Sequence, residues 1–97
     1  MSTTFIATLV VKPGMEQRFE DLQRELSQLT HDHEPGTVVY DVIRHRTKAS
    51  TYVVYGRFKD DSAFQVHQAS PFHDRLVPPI LACLAQEMDL QMFDWLA

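Results

Sequence analysis

Apolar positions along the chain switch between a period of two and a period near 3.6, and the switches mark the elements. Thr4 to Val11 is a compact run of β-branched and apolar residues that ends at Pro13-Gly14, which predicts a strand and a tight exit. Met15, Phe19, Leu22, Leu26 and Leu29 then recur at spacings of four, three, four and three, one stripe of an amphipathic helix, with Glu20 and Arg24 on its wet face. Pro35-Gly36 stops that helix after His33. Thr37 to Arg44 and Thr51 to Phe58 read as two strands of a hairpin, joined through the polar Lys48-Ala49-Ser50. Lys59-Asp60-Asp61-Ser62 offers N-cap residues for a second helix in which Ala63, Phe64 and His67 fall at helical spacing. Ser70-Pro71 then ends one helix and starts another, because Ser caps well and Pro is tolerated at the first helical position. Pro78-Pro79 predicts a further break before a short apolar helix over Ile80 to Leu84. Met88, Leu90 and Met92 alternate with Asp89 and Gln91 as a last strand.

The order βαββαβ predicts an α+β, ferredoxin-like (split-βαβ) domain spanning 1–97, an antiparallel sheet with its helices on one face. Strand parity puts Val38, Tyr40 and Val42 on one face of the second strand and Val39 and Ile43 on the other, while Tyr52 and Val54 oppose Val53 and Tyr55. Both faces are apolar, so something must cover the one that the helices leave bare. A second copy of the same sheet is the economical cover, which predicts a homodimer with sheets packed face to face.

Composition narrows the function. Among 97 residues, 44% are hydrophobic and 10% aromatic, enough for a globular core, but a domain this small gains from a second subunit that adds walls to any internal site. The net charge of -4, with no basic run longer than Arg44-His45-Arg46, argues against a nucleic-acid partner. The N-terminal apolar run is strand-length and lacks a positively charged leader pattern, so the expectation is a soluble, cytoplasmic chain with no membrane partner. Cys83 is the only cysteine, which excludes an intrachain disulfide and reads as inert core.

Candidate chemistry centres on His67. Tyr52, Val54, Gly56 and Phe58 share one face of the third strand, Phe5, Ala7, Leu9 and Val11 one face of the first. If these faces look toward the helices, Phe64 and His67 close over them and make an apolar, aromatic-lined cavity with few polar groups. Composition alone favours the plainer reading, in which the same aromatics simply fill the core. An imidazole there needs a partner or a ligand, and it titrates near neutrality, so it can take or give a proton. His31-Asp32-His33-Glu34 has metal-ligand chemistry but lies at a helix end with no second ligand pair, and reads as a solvated cap; no metal site is expected. Asp60-Asp61 reads as negative charge at a helix N-terminus. Gly-rich phosphate loops, Gly-x-Ser-x-Gly elbows and Cys-x-x-Cys pairs are absent from the sequence, leaving nucleotide and flavin binding without support.

LVVKPGMEQRF, HEPGTVVYDV and YVVYGRFKDDSAFQVHQASPFH resemble the antibiotic biosynthesis monooxygenase (ABM) domain, a dimeric α+β barrel family that includes quinol monooxygenases, over nearly the whole chain. The resemblance implies a pocket between sheet and helices and oxidation of a small phenolic or quinol substrate by O2 without metal, flavin or haem. It implies Phe58 where the family's aromatic closes the third strand and Phe64 on the following helix, while strand parity adds Tyr52 and Val54 as further walls. His67 is the candidate base or hydrogen-bond partner of that pocket, and His73 a pocket wall. Where the family often has Glu-Arg-Trp, this chain has Gly56-Arg57-Phe58. Haem-degrading relatives carry Asn at Ala7, Trp at His67 and His at Val77, so haem degradation is not implied. The His67 to His73 pattern is also similar to that of an isomerase acting on a phosphorylated signal. The alternatives to an oxygenase are therefore a non-catalytic ligand-binding or stress-associated dimer, or an isomerase.

Overall fold

The computed structural model describes residues 2–97, so Met1 of the expected 1–97 domain lies outside the described residues. The elements are β1 (Thr3–Val10), α1 (Glu16–His33), β2 (Thr37–Arg44), β3 (Thr51–Phe58), α2 (Asp61–Ala69), α3 (Pro71–Ala82) and β4 (Asp89–Asp94). The four strands form one antiparallel sheet in the order β2-β3-β1-β4. This is the α+β, ferredoxin-like arrangement that the alternating periods predicted. Among the described residues no helix is long and apolar enough to cross a membrane.

Local chemistry accounts for most boundaries. Gly14 takes a left-handed φ of +89° at the exit of β1, a conformation that costs glycine little, and its N–H donates to Glu16 Oε1 at 2.8 Å. Asp60 caps α2 by accepting from Ala63 N at 2.8 Å. Ser70 ends α2 and starts α3 at once: its N–H and its hydroxyl donate to His67 O at 3.3 and 3.0 Å, while its Oγ accepts from His73 N at 3.2 Å. Pro71 follows at the first helical position, as its missing N–H allows. The corner therefore sets His67 in the last turn of one helix and His73 in the first turn of the next.

Two expectations fail. Pro78-Pro79 do not break α3, which runs from Pro71 to Ala82 through both. Leu76 and Ile80, one helical turn apart and 2% and 3% exposed, anchor the helix across the prolines. Burying each contributes about 1.5–3 kcal/mol, which offsets the roughly 3 kcal/mol cost of an interior proline. The missing N–H groups also fall on the outer side, where Asp74, Arg75 and Pro78 are exposed and water can serve the freed carbonyls. Strict alternation also placed Val38 beside Tyr40. A bulge between Thr37 and Val39 breaks the register, and Val38 is exposed while Tyr40 is buried.

The core lies between the inner sheet face and the helices: Phe5, Ala7, Leu9, Tyr40, Val54 and Phe58 from the strands meet Phe19, Leu26, Leu76 and Ile80. Cys83 is fully buried, its thiol donating to Pro79 O at 3.4 Å. On the outer face the register brings Ile6, Tyr55 and Asp41 into one row and Thr8, Val53 and Ile43 into another. Ile43 and Phe93 on that face are exposed large hydrophobics.

Candidate functional site

The site begins with the turn after α1. Glu34 ends the helix, and its carbonyl accepts from Thr37 N at 3.0 Å across Pro35-Gly36. Lys59 N then donates to Gly36 O at 2.9 Å, pulling the turn against the start of α2. Gly36 is required there, because a Cβ atom at that position would lie 2.7 Å from Ala63 Cβ. This close approach carries Glu34 inward until it is 6% exposed, with Oε1 2.9 Å from His67 Nδ1. Thr37 Oγ1 donates to the same Oε1 at 3.1 Å.

His67 is 2% exposed, with the Tyr40 ring 4.9 Å and the Phe58 ring 5.2 Å away. The His73 ring stands edge-on at 4.9 Å. Burial pushes the His67 imidazole down from 6.5 to about 4. The same burial pushes Glu34 up, against a hydrogen bond from Thr37 and the nearby His73. His73 is lowered by burial and then by His67. Removal from water penalises both charged forms, so His67 is neutral at pH 7. With Nδ1 engaged by Glu34, Nε2 is the ring nitrogen left for a ligand, and Nδ1–H donated to a carboxylate leaves Nε2 holding a lone pair.

His67 lines a cavity of about 150 Å3 between the sheet and the helices. Phe64, Val54 and His73, three of the expected wall residues, line it too, as do Phe5 and Tyr40. No Lys or Arg lines it. Two expected wall residues do not. Phe58 is fully buried behind the wall, stacked among Phe5, Phe64 and His67. Tyr52 lies near the far end of β3 under Phe19, ring centroids 4.6 Å apart, and its hydroxyl donates to Glu20 Oε2 at 2.6 Å. Burial, then the Glu20 contact, push that phenol up to about 12, so it stays protonated. Sequence reasoning missed Glu34, Tyr40 and Gln23, a buried glutamine of α1 that also lines the cavity. The signal for Glu34 was the Pro35-Gly36 turn beside it, which turns a helix-end residue inward.

Gly56 has a structural reason. It pairs across β1 with Phe5, whose ring occupies the space where a side chain at position 56 would stand. The run His31-Asp32-His33-Glu34 fans out: His31 Nε2 bonds Tyr40 O at 3.2 Å, His33 packs on Phe72, and Glu34 meets His67. Among the described residues no group of three or more His, Cys, Asp or Glu side chains is placed to hold a metal ion.

The family model described as antibiotic biosynthesis monooxygenase matches residues 3–78, from the first residue of β1 into α3. The chain belongs to the antibiotic biosynthesis monooxygenase family. Solved structures agree with it in fold. A candidate antibiotic biosynthesis monooxygenase from Caulobacter crescentus CB15 superposes with a TM-score of 0.95 at 22% identity, covering 99% of this chain and 91% of that one. Another antibiotic biosynthesis monooxygenase gives 0.89 at 27% identity over 98% and 99% of the two chains. A conserved protein from Methanosarcina mazei gives 0.91 at 22%, over 96% and 91%. No curated protein matches the chain. For this ABM-family chain the matched segment contains Glu34, Phe64, His67 and His73, whereas Ile80, Leu81, Met88 and Leu90 complete the cavity from beyond it.

Proposed function

We propose that the protein is a cofactor-independent monooxygenase of a small, single-ring phenol or quinol, with His67 as general base and Glu34 as its positioning residue. The observation that carries this reading is the buried Glu34–His67 pair at the wall of an apolar cavity. A cavity of about 150 Å3 is of the size that holds one benzene ring, so fused multi-ring substrates are disfavoured. His67 Nε2 takes the substrate hydroxyl proton, and the apolar walls keep bulk water from the phenolate. An electron-rich phenolate can itself reduce O2. For a hydroquinone the balance closes without another reductant: the ring gives up four electrons, one oxygen atom enters it to leave a hydroxyquinone, and the other leaves as water. Val54, Phe64 and His73 hold the ring, with Phe58 stacked behind them.

The non-catalytic alternative drew on the absence of a carboxylate at Gly56. Phe5 fills that space, and Glu34 supplies a carboxylate to the imidazole from the turn after α1. An isomerase of a phosphorylated metabolite is disfavoured by a lining without Lys or Arg. The test is O2 uptake by metal-stripped protein with substituted hydroquinones and phenols, corrected for autoxidation. His67→Ala is expected to lower kcat by about a hundredfold or more while the fold survives. Unchanged turnover in that variant removes His67 as the base.

We also infer that the outer sheet face packs on a second copy. Ile43, Tyr55, Ile6 and Phe93 support this, an apolar set on a face that no helix of the chain covers.

A further inference from the structure

Gln23 is a polar residue in a position made for an apolar one. The buried line of α1 runs Phe19, Gln23, Leu26, Thr30, and Gln23 is 3% exposed. Among the described residues its side-chain Oε1 is buried with no hydrogen-bond partner. A core position gains nothing from an unpartnered carboxamide, which loses its water and receives nothing in return. Among the described residues four other buried polar side-chain atoms lack partners, on Thr4, Thr30, Glu34 and Arg57, and none of those residues lines the cavity. Gln23 does line it. It shares that surface with His67, which comes from α2 whereas Gln23 comes from α1. A primary amide offers an acceptor and two donors, so it can accept a hydrogen bond from a hydroxyl or donate one to a carbonyl.

We infer that Gln23 is the second hydrogen-bonding anchor of the cavity, so that the site selects a single ring bearing two oxygen substituents, a dihydroxybenzene, over a monophenol of the same size. This rests on the reading of the cavity as a phenol site. One hydroxyl meets His67 Nε2 and the other meets the Gln23 amide, which orients the ring and leaves its edge to O2. The amide also suits the product, since a hydroquinone hydroxyl donates a hydrogen bond to Oε1 and a quinone carbonyl accepts one from the amide N–H. A site built to pair a substrate hydroxyl discriminates against an analogue that lacks it, because its buried polar group is then left alone.

The experiment is anaerobic calorimetric binding of hydroquinone and 4-methylphenol, which replaces the second hydroxyl by a methyl of similar size. The wild-type protein is expected to prefer hydroquinone by about threefold to tenfold, the size of one neutral buried hydrogen bond. Gln23→Met keeps length and volume and removes the amide. It is expected to abolish that preference, weakening hydroquinone and leaving 4-methylphenol as tight or tighter. Equal affinities in the wild type, or a preference that survives in Gln23→Met, overturn the proposal. The wild-type comparison stands alone should the variant fail to fold. Binding with discrimination but without O2 uptake would sink the oxygenase reading and keep Gln23 as an anchor; turnover without discrimination would do the reverse. No binding of either compound overturns both.

Discussion

Replacing Glu34 by Gln tests the site with almost no change in shape. Glu34 Oε1 accepts from both Thr37 Oγ1 and His67 Nδ1, at 3.1 and 2.9 Å, and a Gln oxygen can occupy the same point. The negative charge is what is lost. A hydrogen bond to a charged, buried acceptor is worth about 1.5–3 kcal/mol, and it strengthens as His67 gains a proton from the substrate. If the whole of that difference acts on the developing imidazolium, kcat falls by about 10- to 150-fold while KM moves less than about threefold. The acid limb of the pH profile is the sharper readout. Burial already holds His67 near 4, and removing the carboxylate disfavours the imidazolium further, so the limb moves to lower pH rather than higher. Steady-state O2 uptake across pH measures both, and nitrogen NMR of the imidazole reports whether the proton remains on Nδ1. A kcat within twofold of wild type, with Nδ1–H retained, refutes the positioning role. Asp32→Asn is the control: that exposed neighbour bonds only Gln28, so its rate should be unchanged.

Acid should weaken the fold through His67. The unfolded imidazole takes its proton near 6.5 and the folded one only near 4, so between those values the unfolded state binds more protons and stability falls as pH drops. The raised Glu34 opposes this by costing stability as pH rises above its ordinary value. Urea midpoints at pH 7 and pH 4.5 should therefore differ more for wild type than for His67→Asn, and equal differences would contradict the assignment. Gly56→Ala forces a Cβ into the Phe5 ring, an overpacking that costs about 1–3 kcal/mol and lowers Tm by at least about 5 °C; an unchanged Tm would show that Phe5 moves aside freely. Sedimentation should give a mass near twice the 11.2 kDa chain, and a monomer mass would remove the packed-sheet proposal.

Elements whose local chemistry and burial agree were legible in the residues. The hairpin strands match their expected limits because β-branched runs are bounded by turn residues at both ends. Ser70-Pro71 was legible for a related reason, since a capping hydroxyl and an N1 proline act within four residues of chain. Pro78-Pro79 misled because the same local rule was applied where tertiary burial of Leu76 and Ile80 outweighs it. Strand parity found the sheet face of the cavity, but it could not separate Val54, which lines it, from Tyr52, one step of the same alternation away. That difference depends on which helix side chain lies above each position, and Phe19 lies above Tyr52.

The polar half of the site was hidden for a more general reason. The apolar stripe counted along α1 was Met15, Phe19, Leu22, Leu26 and Leu29, whereas the most deeply buried line is Phe19, Gln23, Leu26 and Thr30. Counting only apolar residues rotates the stripe away from any polar residue that belongs in it. Leu22 and Leu29 are half-buried at its flank, so the apolar count places the helix correctly but leaves Gln23 out of its buried line. Glu34 escapes in the same manner, as a charged residue at a helix end, where the ordinary expectation is solvent. A buried line interrupted by an amide, ending next to a glycine turn that folds a carboxylate inward, is costly for a plain core to maintain. It is economical for a cavity whose ligand completes the hydrogen bonds, and the polar residues an apolar count passes over are the ones that ligand must satisfy.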